Sequence, residues 1–187
     1  NSNDNIDPFW TIRKNKGQET ITVEPYKYAQ FLMKNGFKKY FPEQSEMPTF
    51  VHVRENKVKL CSTVAIKDMV LNFLLKNDLI NVWNFCSKSS MLFNENHLNM
   101  LDSISLEMIK DTKHTAYIPF LNGLVKVTKN NVELIEYIDA EGYVWENQII
   151  PRVFIPTKEY ANDFQDLIRK VSNKDTERIA SLERTIG

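Results

Sequence analysis

The pattern of hydrophobic and polar positions predicts short strands at the start of the chain. Alternating apolar residues at 9–13 and 19–23 flank Gly17, which indicates a β-hairpin. The runs TFVHVRE and KVKLCS flank a polar turn at 55–57 and predict a second hairpin. The run FKKYF at 37–41 alternates in the same way, so we expect one more strand there.

Helical periodicity dominates the middle of the chain. Apolar residues three and four positions apart predict helices over 25–34, 64–76 and 80–88, and a short one over 95–101. Proline suits the first position of the first helix, and Asn35-Gly36 ends it. Ser62 or Thr63 is the expected N-cap of the second helix.

The end of the chain predicts two more helices after a linker bracketed by Pro151 and Pro156. Residues 158–171 are amphipathic, and the side chains expected inside are Tyr160, Phe164, Leu167, Ile168 and Val171. Residues 175–186 predict the other helix, with Asp175 or Thr176 as its cap.

The segment 115–150 has the densest run of aromatic and β-branched residues. Asn122-Gly123 predicts a type I′ turn or a bulge, and Lys129-Asn130-Asn131 predicts a second turn, so the segment is a predicted β-meander. The stretch YVWENQII is expected to add a strand. The fold class that follows is α+β, with antiparallel hairpins and a meander packed with a central helical cluster (64–101) and C-terminal helices.

These elements predict three parts of the chain. Residues 1–8 are polar and are expected to form a disordered tail. Residues 9–156 form one α+β domain, and residues 157–187 form a helical segment that joins a missing domain. Because the chain starts at Asn1 without Met, we expect it to be a piece of a longer protein.

Composition narrows the class of protein. The chain has 187 residues, 42% of them hydrophobic, and a formal net charge of zero. Lys and Arg exceed Asp and Glu by ten to seven in residues 1–60, and fall behind by seven to eleven in residues 131–187. A dedicated duplex-binding domain is usually strongly basic, so this balance argues against one. With no membrane-length apolar run and only two cysteines, a cytoplasmic protein is expected.

The residue patterns of common catalytic sites are missing. None of the five glycines precedes a lysine, which excludes a phosphate-binding loop. The candidate zinc ligands lack paired spacing; they are Cys61, Cys86, His52, His97 and His114. We therefore assign no catalytic residue and no metal ligand.

Two other pairs of residues indicate a chemical site more weakly. Asp139 and Glu141 would share a face and could hold Mg²⁺ if they lay on a strand, although a solvated turn is the simpler interpretation. Cys61 with His52 would need a lowered thiol pKa to act as a nucleophile, and nothing nearby in the sequence supplies it.

The best interaction signal is basic. Arg13, Lys14 and Lys16 lie at the tip of the first hairpin close to Trp10, a combination that suits phosphate contact and base stacking in single-stranded DNA. Lys38 and Lys39 form a second candidate cluster. The alternative is that these lysines are ordinary surface residues and that Trp10 belongs to the core.

One segment carries a family resemblance. YIPFLNGLVKVTKNNVELIEY resembles the region just upstream of the ATPase domain in phage- and poxvirus-type primase–helicases, especially those of phages and mobile elements of gut bacteria. Similarity of pattern extends over residues 9–170. The matching positions in the segment are Tyr117, Phe120, Asn122, Gly123, Leu124, Val125, Leu134 and Tyr137.

The resemblance implies a superfamily 3 helicase, a hexameric ATP-driven motor that unwinds DNA during replication. Its ATP- and Mg²⁺-binding motifs and its primase activity lie outside these residues. This chain would be a non-catalytic accessory domain that positions the motor and contacts single-stranded or forked DNA. The C-terminal helices would form the junction with the motor or with like subunits, through Arg169, Lys170, Arg178 and Arg184.

Two other classes of function compete with this one. The alternative is a protein–protein interaction module that does not touch nucleic acid. An enzyme acting alone is the least favoured class, because no acid–base or metal constellation is present in the sequence.

Overall fold

The computed structural model describes residues 8–156, 163–173 and 175–186. The chain forms two units, Asn1–Arg152 and Val153–Gly187. Nine strands and six α-helices in the described residues give the α+β fold that the sequence predicts. Residues 1–7, most of the predicted tail, lie outside the described part.

The first hairpin is confirmed. Strands β1 (Trp10–Asn15) and β2 (Gln18–Val23) pair antiparallel, with Asn15 opposite Gln18. The two turn residues Lys16 and Gly17 have φ of 48° and 83°, as a type I′ turn requires. Glycine adopts this conformation without strain, which is why the turn forms here.

A four-stranded sheet follows in the order β3-β4-β5-β9. Its first three strands are antiparallel: β3 (Phe37–Tyr40), β4 (Thr49–Arg54) and β5 (Lys57–Cys61). The fourth strand, β9 (Val144–Trp145), pairs parallel with β5. The strand expected in YVWENQII is therefore only two residues long, and it joins this sheet instead of the meander.

The predicted central helices are confirmed, with the short fourth helix ending earlier than expected. They are α1 (Pro25–Lys34), α2 (Thr63–Lys76), α3 (Ile80–Lys88) and α4 (Glu95–Leu98). Their apolar faces form the main core with the base of the first hairpin and one face of the sheet. The largest fully buried side chains in it include Phe9, Tyr28, Leu32, Ile66 and Leu74.

The meander consists of β6 (Thr115–Phe120), β7 (Gly123–Thr128) and β8 (Val132–Ile135). Its first turn is not type I′, because neither Leu121 nor Asn122 has positive φ. Positive φ falls on Gly123, where an added Cβ would lie 2.6 Å from the Ile135 carbonyl oxygen. Glycine is needed here because β8 ends against the backbone of β7.

The second unit contains α5 (Asp163–Val171) and α6 (Thr176–Ile186). Ile168 is buried as predicted, but Leu167 and Val171 are exposed, so the expected apolar face was wrong for these two. Tyr160 and the side chain of Phe164 lie outside the described part. Of the two predicted caps, Asp175 is the one that the structure shows, since its carboxylate accepts hydrogen bonds from the amides of Glu177 and Arg178 at 2.9 and 3.2 Å.

Candidate functional surfaces

The first hairpin extends beyond the core as a hairpin arm, residues 11–20. Every residue of the arm is exposed, whereas Trp10 below it is buried and Ile21 and Val23 pack against the main core. Strand pairing holds the arm in shape, and its tip presents the three cations found in the sequence, Arg13, Lys14 and Lys16.

One of the three cations is already paired. The Lys14 Nζ lies 2.8 Å from a carboxylate oxygen of Glu19, its partner across the strands. This hydrogen bond raises the pKa of Lys14 and lowers the pKa of Glu19. The other Glu19 oxygen accepts a hydrogen bond from the Asn81 amide of α3 at 3.2 Å. Arg13 and Lys16 make no ion pair with the described residues and are the cations that remain for an anion.

Trp10 does not belong to this surface. Its side chain is 8% exposed and packs edge-to-face on Phe9, with ring centroids 4.8 Å apart. A nucleic-acid base needs an open aromatic face to stack on. Its candidate role in stacking is therefore wrong, and the core interpretation of Trp10 is the correct one.

Lys38 and Lys39 do not form one cationic cluster. They are consecutive on β3, so their side chains leave opposite faces of the sheet. The Lys38 Nζ lies 3.6 Å from a carboxylate oxygen of Asp102, and the Lys39 Nζ donates to the Asn99 carbonyl at 2.6 Å. Each lysine has a partner in the segment that follows α4, so both hold that segment against the sheet.

The cations of the second unit lie on its two helices. Arg169 and Lys170 are in the last turn of α5, and Arg184 is in the last turn of α6. All three residues are exposed. Arg178 lies 3.8 Å from the capping Asp175. A cation in the last turn of a helix also stabilises that helix by interacting with its dipole. The positions of these cations therefore fit stabilisation of their own helices as well as a junction with another domain or subunit.

The structure supports neither a Mg²⁺ site at Asp139 and Glu141 nor a nucleophilic site at Cys61 and His52. Asp139 ends a 3₁₀ turn, Tyr137–Asp139, instead of lying on a strand with Glu141. Among the residues that the structure describes, no group of His, Cys, Asp and Glu could hold a metal ion. Burial raises the pKa of the Cys61 thiol, which opposes its activation as a nucleophile.

The residues that carry the family resemblance hold the meander together. The Tyr137 hydroxyl donates to the Phe120 carbonyl at 2.6 Å and ties the end of β8 to the first turn. Leu124 and Tyr137 form the second core with Val144. Together with the close approach at Gly123, these contacts make the resembling residues determinants of the fold.

The meander also has an apolar side that is partly exposed, a feature that was not among the predictions from the sequence. Register and alternation place seven apolar side chains on the side opposite Tyr117 and Leu124. Ile118, Val132 and Leu134 are 37%, 55% and 38% exposed, and the buried Val125 lies between its cross-strand partners. The signal was the period-two spacing of Val125, Val127, Val132 and Leu134. We call this side the apolar meander face: Ala116, Ile118, Phe120, Val125, Val127, Val132 and Leu134.

None of the helices in the described residues is both long enough and apolar enough to cross a membrane. No protein-family model matches this chain, and no curated protein matches it.

Proposed function

We propose that the chain is a non-catalytic accessory domain of a phage or mobile-element primase–helicase. It positions the ATPase motor and contacts single-stranded or forked DNA. The observation that supports this role is the apolar meander face, which is built by the same segment that resembles the primase–helicase region. A cluster of apolar side chains with exposed members such as Ile118, Val132 and Leu134 is typical of sites that bind another protein surface.

The proposed attachment of the motor is inferred from the different character of the two sides of the meander. One side carries Tyr117 and Leu124 in the second core, so the sheet is anchored to the rest of its unit. The other side is apolar, and Ile118, Val132 and Leu134 on it are exposed. Burying it against the neighbouring domain would stabilise the attachment by about 25 cal/mol for each Å² of apolar surface removed from water.

The contact with DNA rests on the hairpin arm. Arg13 and Lys16 are exposed at its tip and can approach phosphates without breaking an ion pair with the described residues. Two cations without an exposed aromatic give weak binding that does not depend on sequence and falls as salt rises. The arm therefore guides DNA, and it has too few contacts to hold it tightly.

A binding titration tests the contact with DNA. Fluorescence anisotropy with labelled single-stranded DNA of about 20 nucleotides is measured over a salt series. Changing Arg13 and Lys16 together to Ala should weaken binding and reduce the slope of log K against log salt by about 0.7 for each cation lost. Glu19→Gln should tighten binding, because it releases Lys14.

The matched control removes the same charge elsewhere. Lys76 and Lys88, exposed in the last turns of α2 and α3, are changed together to Ala. This variant should bind DNA like the parent protein. Equal affinities and salt slopes for the arm variant, the control and the parent protein would remove DNA contact from the proposal.

The parent gene tests the motor. A Gly-rich loop ending in Lys-Ser/Thr, encoded within about a hundred residues after Gly187, would support the proposal, since that loop binds nucleotide phosphates. An open reading frame that continues without such a loop would overturn it.

The second candidate function is a protein–protein interaction module without nucleic-acid contact. The apolar meander face favours it independently of the arm. Two results together would favour this alternative. The parent protein would show no salt-dependent DNA binding, and changing Val132 and Leu134 to Lys would abolish its binding to a protein partner.

A further inference from the structure

The four-stranded sheet has an edge that is only partly covered. β9 pairs with Lys57 and Val58 of β5, and the chain then forms a 3₁₀ turn, Glu146–Gln148, which lies beside β5 without pairing with it. β5 itself continues to Cys61. The last part of β5 therefore extends past its parallel neighbour.

The hairpin register shows which backbone groups face this edge. β4 and β5 are joined by a two-residue turn, so Lys57, Lys59 and Cys61 exchange hydrogen bonds with β4. Val58 and Leu60 then direct their N–H and C=O groups to the other side. The amide of Val144, which donates to the Asn56 carbonyl at 3.0 Å, confirms that β9 lies on that side. The backbone N–H and C=O of Leu60 have no partner among the described residues.

An open groove lies beside these groups. Its volume is about 560 Å³, within the range of pockets that bind ligands, and it runs between Val58–Leu60 of β5 and residues 145–148. Leu60 is 61% exposed, and the Trp145 ring is half-buried, 6.1 Å from the Tyr40 ring. At the rim, the Lys59 Nζ lies 3.4 Å from a carboxylate oxygen of Glu146, so this pair adds no net charge.

We propose that this edge binds an extended segment of a partner protein as an additional strand. The segment would exchange two hydrogen bonds with the backbone of Leu60 and place one apolar side chain against Leu60 and Trp145. An extended backbone is the partner that fits, because it offers a donor and an acceptor at the strand spacing, whereas a helix uses these groups internally.

Panning tests this strand-addition site, with a phage-displayed library of random seven-residue peptides as the probe. The enriched peptides should alternate apolar and polar residues. Leu60→Pro removes only the N–H that faces the groove and leaves the hydrogen bonds between β4 and β5 in place, so it should weaken these peptides about tenfold. Leu60→Ala keeps the N–H and should retain strand pairing with a smaller loss of affinity.

A second measurement does not depend on how Leu60→Pro folds. In the parent protein, the Leu60 amide should exchange rapidly with solvent and become protected when an enriched peptide is added. The proposal would be overturned if the enriched peptides do not alternate apolar and polar residues. It would also be overturned if they bind Leu60→Pro as tightly as the parent protein, or if they leave the exchange of the Leu60 amide unchanged. Panning that enriches no peptide would overturn it as well.

Discussion

At the scale of single residues, two buried tyrosines show that the effect of a buried hydroxyl on stability depends on whether it has a hydrogen-bond partner. Tyr137 and Tyr28 are both buried. The Tyr137 hydroxyl donates to the Phe120 carbonyl at 2.6 Å, whereas the Tyr28 hydroxyl has no hydrogen-bond partner in the described chain. A satisfied buried hydroxyl stabilises the fold modestly, and an unsatisfied one costs free energy because it has left water.

The two tyrosines therefore predict opposite effects. Tyr137→Phe should lower the free energy of unfolding by about 1–2 kcal/mol, because it removes the hydrogen bond from the Tyr137 hydroxyl to the Phe120 carbonyl. Tyr28→Phe should leave stability unchanged or increase it, since it removes a polar atom without a partner. Urea denaturation followed by circular dichroism measures both. A larger loss for Tyr28→Phe than for Tyr137→Phe would contradict this account.

At the scale of elements, the start of α2 shows how one cap is chosen between two candidates. Ser62 has extended backbone, and its Oγ accepts a hydrogen bond from the Ala65 amide at 3.2 Å. Thr63 is already the first helical residue. The hydroxyl that caps a helix must come from the residue just before the first turn, so only Ser62 can do so here.

The cap predicts a difference between neighbours. Ser62→Ala should destabilise the protein by about 1 kcal/mol, and Ser62→Gly by only a few tenths. Thr63→Ala is the matched control and should change stability little, since its hydroxyl is not the cap. Thermal unfolding of the three variants tests this, and equal losses for Ser62→Ala and Thr63→Ala would exclude Ser62 as the cap.

At the scale of the whole molecule, the buried ionisable groups make stability depend on alkaline pH. Burial raises the pKa of Cys86 from 9.0 to about 11 and the pKa of Tyr137 from 10.0 to about 12. Burial also raises the pKa of Tyr28. Each group is neutral when folded and ionises more readily when unfolded, so the unfolded state gains charge first as the pH rises.

The stability of the protein should therefore fall above about pH 9. The contribution of each group is complete below its unfolded pKa and is lost as the pH rises through its folded pKa, with a slope of up to about 1.4 kcal/mol per pH unit for each group. Urea denaturation from pH 8 to pH 11 measures this loss. Tyr137→Phe should reduce the slope above pH 10, and an unchanged slope would show that Tyr137 does not contribute.

Much of the local structure follows from nearby residues. The turn at Gly17, the start of α1 at Pro25 and the cap at Asp175 depend on backbone preferences that a few residues decide. The period of apolar residues likewise predicts α2 and the strands of both hairpins, because one side of each element must leave water. These features were predicted correctly, and with them the α+β class.

Tertiary structure decided the features that depend on partners distant in sequence. It buried Trp10, engaged Lys38 and Lys39 with the segment after α4, and paired Lys14 with Glu19. It also placed β9 beside β5, about ninety residues earlier in the chain, and left the Leu60 edge open. Local pattern states which side of an element is apolar, but only the packed chain determines which surfaces meet and which backbone groups stay unpaired.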